Sequence, residues 1–273
     1  MVKKVFFNAS LPRAGSTLLQ NVLMQNPEIY ATPTSGVVEF LLTARSIYST
    51  GDAFKAQNPK QMEKAFHGFC RAGLYGYFDA LTDRPYVIDK SRAWTGNFRF
   101  ANFIEPGAKA IVMVRDLRGI FASMEKNYRK NPHKDPQIVN GAQLQNMTTD
   151  TRLQHFSVAP PIGPALEWLK DSIQQGYDSH FLFIRFEDFT TNPEAEMQRI
   201  YNYLEIPYFK HDFENVEQLT HENDVIHGIF GDHEIHPTIK PVAQDYTSIL
   251  GFQNCDNIKQ SYKWFFDKFN YVV

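Results

Sequence analysis

The 273-residue chain carries 28 lysines and arginines against 30 aspartates and glutamates, a balance that excludes a globally basic nucleic-acid binder and leaves any anion site to be local. At 43% hydrophobic and 21% charged it is long enough to bury roughly three quarters of its unfolded surface, so no disulfide or metal staple is required. Two cysteines (Cys70 and Cys255), no run near the ~20 apolar residues of a membrane span and no secretory-type leader give the expectation of a cytoplasmic protein without a membrane partner.

Lys3–Ser10 is a β-type run that ends in Leu11-Pro12-Arg13-Ala14-Gly15-Ser16-Thr17. Leu18, Leu19, Val22 and Leu23 then share one helical face, and Pro27 lies just past it. Strand, tight loop and helix open a parallel α/β sheet. A helical pattern covers Pro59–Tyr77, and Pro85–Ile88 reads as a strand running into Asp89 and Lys90. Ala108–Val114 is a nearly continuous apolar run, as a strand covered on both faces should be. Leu117–Lys130 and Ala165–Gln175 are helical, Phe181–Arg185 is a strand, and a C-terminal helix falls near Asn257–Phe269. Asn131–Pro164 is polar and proline-punctuated, which reads as a loop-rich insertion or lid, and His221–Pro241 is a second irregular region. The alternation predicts one domain over 1–273: a doubly wound, three-layer α/β fold around a central parallel sheet.

The loop at Leu11–Thr17 carries the chemistry. Gly15 lets the backbone approach a ligand, Ser16 and Thr17 supply hydroxyls, and the first N–H groups of the helix point outward with the positive end of its dipole. Arg13 adds a guanidinium able to fork onto phosphate or sulfate oxygens. A nucleoside-triphosphatase loop of the Gly-x-x-x-x-Gly-Lys-Ser/Thr type would need a glycine where Ser10 stands and a lysine where Ser16 stands. The basic residue lies before the glycine instead, which argues against ATP or GTP hydrolysis.

Pro12-Arg13-Ala14-Gly15-Ser16-Thr17 resembles the 5′-phosphosulfate loop of sulfotransferases that use 3′-phosphoadenosine 5′-phosphosulfate (PAPS), in the style of the bacterial and tyrosylprotein-type enzymes. Arg115-Asp116-Leu117-Arg118-Gly119, closing a strand, with Ser123 in the following helix, is similar to that family's 3′-phosphate segment. Phe181–Phe189 with Asn192-Pro193 resembles a further strand of the family, with Phe186 where a tyrosine is usual.

The resemblance implies transfer of a sulfuryl group from PAPS to a hydroxyl or amine, adenosine 3′,5′-bisphosphate as product, and no metal. It implies that Arg13 stabilises the leaving phosphate, that Ala14, Gly15, Ser16 and Thr17 hold the 5′-phosphate, and that Arg115 and Ser123 hold the 3′-phosphate. Phe186 would pack near the nucleotide, Lys240 would sit in a basic loop folded over it, and Lys90 would be a further catalytic basic residue. For the general base the sequence leaves two candidates, Glu39 about one turn beyond Ser35 and Asp89 at a strand end. The histidines 221, 227, 233 and 236, with Asp224 and Asp232, lack a recognised metal-ligand spacing and read as polar loop or acceptor-pocket lining. A small-molecule or carbohydrate acceptor fits the polar loops and Trp94. The rival readings are a P-loop kinase, which demands Mg²⁺ and ATP, and a non-catalytic relative that keeps only the nucleotide cradle.

Overall fold

The computed structural model describes residues 3–132, 144–243 and 245–271. In chain order its elements are β1 (Lys4–Asn8), α1 (Ser16–Leu23), β2 (Ile29–Thr34), α2 (Val37–Thr50), α3 (Asp52–Lys55), α4 (Pro59–Asp79), β3 (Tyr86–Lys90), α5 (Ala93–Gly96) and α6 (Phe98–Ile104). There follow β4 (Ala110–Val114), α7 (Leu117–Lys130), α8 (Thr149–Val158), α9 (Ile162–Gln174), β5 (Phe181–Arg185), α10 (Phe186–Thr191) and α11 (Pro193–Leu204). After a long irregular stretch come α12 (Thr247–Leu250), α13 (Phe252–Ser261) and α14 (Lys263–Lys268).

The five strands form one all-parallel sheet in the order β2-β3-β1-β4-β5, with helices on both sides. All five residues of β4 are buried, which is why its sequence is an unbroken apolar run rather than an alternating one. After β1 the chain runs outward to β2, returns to β3 and then crosses to β4 on the other side of β1. The carboxyl end of β1 is therefore the point where connections part, and a crevice opens there.

A buried polar knot fixes the start of α1 against the sheet. Asn8 Nδ2 donates to Gln20 Oε1 at 3.0 Å, and Gln20 Nε2 donates to the carbonyls of Thr32 (2.8 Å) and Ile88 (3.0 Å). These residues are fully or almost fully buried and each bond is made, so the knot holds α1 to β2 and β3 without an unpaired group.

The structure departs from the expected elements in identifiable places. β2 was not foreseen: it contains Pro33, is irregular between Ala31 and Thr34, and lies at the sheet edge, the one position where a strand tolerates a missing N–H. The region expected to be loop-rich, Asn131–Pro164, contains α8, capped by the Thr148 hydroxyl accepting from Thr151 N–H; residues 133–143 of it lie outside the described residues. The C-terminal helix is two helices separated at Tyr262. His221–Pro241 is irregular, as expected, apart from a short 3₁₀ turn at Gly228–Phe230. Among the described residues no helix is long and apolar enough to cross a membrane.

Candidate active site

The loop after β1 is built around a close approach. Gly15 has φ +89°, and a Cβ there would lie 2.5 Å from the Phe186 ring, so only glycine lets this ring seat under the turn. Arg13 also has a positive φ of 59°, which turns its side chain away from the strand direction. Its Nε donates to Ser123 Oγ at 3.0 Å, Nη1 to the Asp232 carbonyl at 2.9 Å and Nη2 to Asp232 Oδ2 at 2.7 Å.

Arg115, one residue past the end of β4, donates from Nη1 to the Arg13 carbonyl at 3.1 Å and stacks its guanidinium 4.6 Å from the Phe186 ring centre. Burial pulls the Arg115 pKa below the usual arginine range, and Glu187 offsets part of that by charge alone. Glu187 spends its own oxygens on the Asp116 N–H (3.1 Å) and the Tyr271 hydroxyl (2.9 Å). A largely desolvated guanidinium of this kind is a ready partner for an entering anion.

A second charged group sits across the loop. Lys90, at the carboxyl end of β3, reaches Thr17 Oγ1 at 3.3 Å and Glu222 Oε1 at 2.8 Å, with both charged side chains only 7% and 6% exposed. Burial draws the Lys90 ammonium below the usual lysine range, and Glu222 counteracts this. Burial alone would raise the Glu222 carboxyl, but Lys90, the Thr34 N–H and His233 outweigh it and hold the group at about 2. The Thr34 N–H (2.9 Å) and hydroxyl (3.0 Å) also donate to Oε1, so this oxygen has three donors.

Arg13, Thr17, Thr34, Lys90, Arg115, Phe186 and Asp232 line one cleft of ≈ 1120 Å³ at the carboxyl edge of the sheet, with Glu222 and Glu187 behind its wall. Of the residues predicted from sequence, Arg13, Gly15, Ser16, Thr17, Lys90, Arg115, Phe186 and the exposed Lys240 border it. Ala14 is buried beneath the loop, and Ser123 stands behind Arg13. The two candidate bases are elsewhere. Glu39 is exposed on the first turn of α2 and does not border the cleft. Asp89 points into the core, because side chains alternate along a strand and its neighbour Lys90 takes the cleft side. It accepts from Trp94 Nε1 at 2.6 Å and from the Thr32 hydroxyl at 3.4 Å.

That burial raises the Asp89 pKa from 3.8 to about 6 despite the bonds from Trp94, Ser35 and Thr32. Between these values the folded protein binds a proton that the unfolded chain releases. Stability is thus full below pH ~4 and falls by about 3 kcal/mol as pH rises through ~6. Asp89→Asn, which keeps an acceptor for Trp94, is expected to remove this slope in urea unfolding between pH 4 and 7; an unchanged slope would mean that the titrating group is another.

Sequence reasoning missed Glu222, Asp232 as the partner of Arg13, and Arg92, whose guanidinium borders the cleft and is pulled down in pKa by burial. None lies in a motif. Glu222 and Asp232 depend on how the irregular segment folds back across the sheet edge, and Arg92 stands between β3 and α5.

Residues 6–210 match the model of the sulfotransferase family. The chain is 23% identical over 212 residues to protein-tyrosine sulfotransferase A of Caenorhabditis elegans, covering 74% of this chain and about half (50%) of that relative's length. In fold it is similar to the sulfotransferase domain of the curacin biosynthetic pathway (TM-score 0.59, 15% identity, 96% of this chain and 98% of the other). It is likewise similar to the sulfotransferase domain of the Synechococcus PCC 7002 olefin synthase (TM-score 0.53, 16% identity, 96% and 95%). With a five-stranded parallel sheet and a family match over most of its length, this chain belongs to the sulfotransferase family.

Proposed function

We propose that the chain transfers a sulfuryl group from PAPS to a hydroxyl or amine of a small-molecule or carbohydrate acceptor. The observation that carries the reading is the meeting of Arg13, Ser123 and Arg115 at the mouth of the β1–α1 loop, two guanidiniums gathered where a helix N-terminus also points. Two guanidiniums beside a helix N-terminus, with only Asp232 ion-paired to Arg13, suit a ligand with two separate phosphates.

PAPS, when bound, supplies the sulfuryl group: its S–O bond to the 5′-phosphate breaks as a bond from sulfur to the acceptor oxygen or nitrogen forms, and the acceptor's proton departs. The amides of Ala14–Thr17 and the hydroxyls of Ser16 and Thr17 would hold the 5′-phosphate. Arg13 would neutralise the charge that grows on it, the step in which fixed cations have most effect. Arg115 and Ser123 would take the 3′-phosphate, with Phe186 packing near the nucleotide and Lys240 closing from the opposite wall. Neither Glu39 nor Asp89 borders the cleft, whereas Lys90, His227 and His233 do, so the acceptor's proton would go towards that group, with Glu222 behind it.

Thermal unfolding tests the cofactor. Adenosine 3′,5′-bisphosphate at ~100 times its Kd is expected to add about 2.7 kcal/mol, a rise of roughly 5–10 °C. A rise with ATP and Mg²⁺ but none with the bisphosphate would overturn the reading in favour of a kinase.

In the free protein Asp232 occupies the guanidinium that the phosphosulfate needs. The pair is partly solvated, so it opposes binding by about 1 kcal/mol at most. Asp232→Asn is expected to tighten the bisphosphate up to about fivefold in calorimetric titration; weaker binding would show that Asp232 holds Arg13 in its working position instead.

A further inference from the structure

The irregular segment after α11 brings together three groups that no sequence spacing singles out. His227 Nε2 lies 3.3 Å, and His233 Nε2 3.6 Å, from the same oxygen of Glu222, Oε2. The three ligand atoms are all within 4.8 Å of one another, and the imidazole ring centres are 5.0 Å apart. In a tetrahedral site with bonds of about 2.0–2.1 Å, donor atoms stand roughly 3.3–3.4 Å apart. The spacing around Oε2 matches that value.

Two further observations point to a ligand. The Glu222 side chain is only 6% exposed, and its two oxygens are used unequally. Oε1 takes three donors, from Lys90, Thr34 N–H and the Thr34 hydroxyl, while the buried Oε2 has no hydrogen-bond partner among the described residues. An unpaired carboxylate oxygen facing two imidazoles has lone pairs directed where a cation would be held. The second observation is the support behind His233: its Nδ1 is hydrogen-bonded to Asp224 Oδ1, and Asp224 Oδ2 accepts from the His233 N–H at 3.1 Å. A carboxylate on Nδ1 fixes the tautomer that leaves Nε2 as an acceptor, the arrangement found behind metal-bound histidines.

We propose that His227 Nε2, His233 Nε2 and Glu222 Oε2 form a binding site for a zinc-class divalent cation in the wall of the cleft, beside the phosphate loop. Two imidazoles and one carboxylate suit zinc and its neighbours better than magnesium or calcium, which prefer all-oxygen shells. Three protein donors leave a coordination position open. His227 and His233 border the cleft, so the open position would be reached from it. Lys90 and the cation would share one carboxylate through its two oxygens. The site stands on its own geometry and does not require the chain to use PAPS.

The test is titration of the purified full chain with Co²⁺, read by the visible absorption of tetrahedral cobalt, alongside thermal unfolding with Zn²⁺. We expect one equivalent of cobalt with a tetrahedral spectrum, displaced by Zn²⁺, and a zinc-dependent rise in Tm. His227→Ala, His233→Ala and Glu222→Gln should each weaken binding at least tenfold, while His221→Ala, at an exposed neighbouring histidine, should leave it unchanged. The half-exposed His227 makes its alanine variant the one least prone to misfold. Absence of a tetrahedral spectrum in the unmodified chain, or its persistence unchanged in all three variants, would overturn the proposal. The bisphosphate shift is measured in the same samples, so a failed cation site and a failed nucleotide site are told apart.

Discussion

Arg115→Ala is expected to weaken adenosine 3′,5′-bisphosphate binding by roughly a hundredfold and to leave adenosine 5′-phosphate binding nearly unchanged. The contrast follows from where the guanidinium sits. Arg115 leaves a strand end, is largely desolvated, and rests on the Phe186 ring with one nitrogen on the Arg13 carbonyl. Among the described residues no carboxylate pairs with its remaining donors, because Glu187 is committed to Asp116 and Tyr271. A buried charge-assisted pair of this kind is worth about 2–3 kcal/mol when one partner is removed, hence the hundredfold effect. Arg115→Lys should recover only part of it, since an ammonium cannot fork or stack as a guanidinium does. Calorimetric titration of both nucleotides against the three proteins decides the matter. Equal losses for the two nucleotides would show that Arg115 acts by propping the Arg13 carbonyl, with no 3′-phosphate contact of its own.

The parts of this molecule that were legible in its sequence are those where local chemistry and tertiary position coincide. β1, the loop at Arg13–Thr17 and α1 form a contiguous unit whose glycine, hydroxyls and apolar face each serve the final structure, and Leu117–Lys130 was readable to the residue for the same reason. β4 was readable because burial on both faces leaves only apolar residues. β2 was not, since an edge strand can carry Pro33 and an irregularity that would break a central one.

The two candidate bases show the limit from the other side. Asp89 and Lys90 are adjacent, and only the register of β3 against β1, Phe7 opposite Asp89 and Asn8 opposite Lys90, assigns one to the core and the other to the cleft. The acidic group that does face Lys90 comes from Glu222, on a segment with neither helix nor strand to announce it. Long-range ion pairs of this sort leave no periodic trace.

That ion pair supports the second large expectation. Lys90→Met should lower stability by about 3 kcal/mol, because it leaves the Glu222 carboxylate buried with only the Thr34 groups and two imidazoles to answer its charge. For a chain of this size the fall in Tm is roughly 6–12 °C. Glu222→Gln alone strands the Lys90 ammonium beside Thr17 Oγ1, and should destabilise for the same reason with the signs reversed. The double variant Lys90→Met/Glu222→Gln removes both charges and is expected to cost only about 1 kcal/mol, giving a coupling of roughly 5 kcal/mol in a double-mutant cycle. Stability and turnover should then separate. The double variant folds nearly as well as the unmodified chain, yet it lacks the cation next to Thr17 and the carboxylate between the two histidines, so sulfuryl transfer should stay low. Additive single losses would mean that water in the cleft screens the pair. Restored turnover in the double variant would remove Lys90 and Glu222 from the chemistry and leave them as one buried strut between β3 and the segment that crosses it.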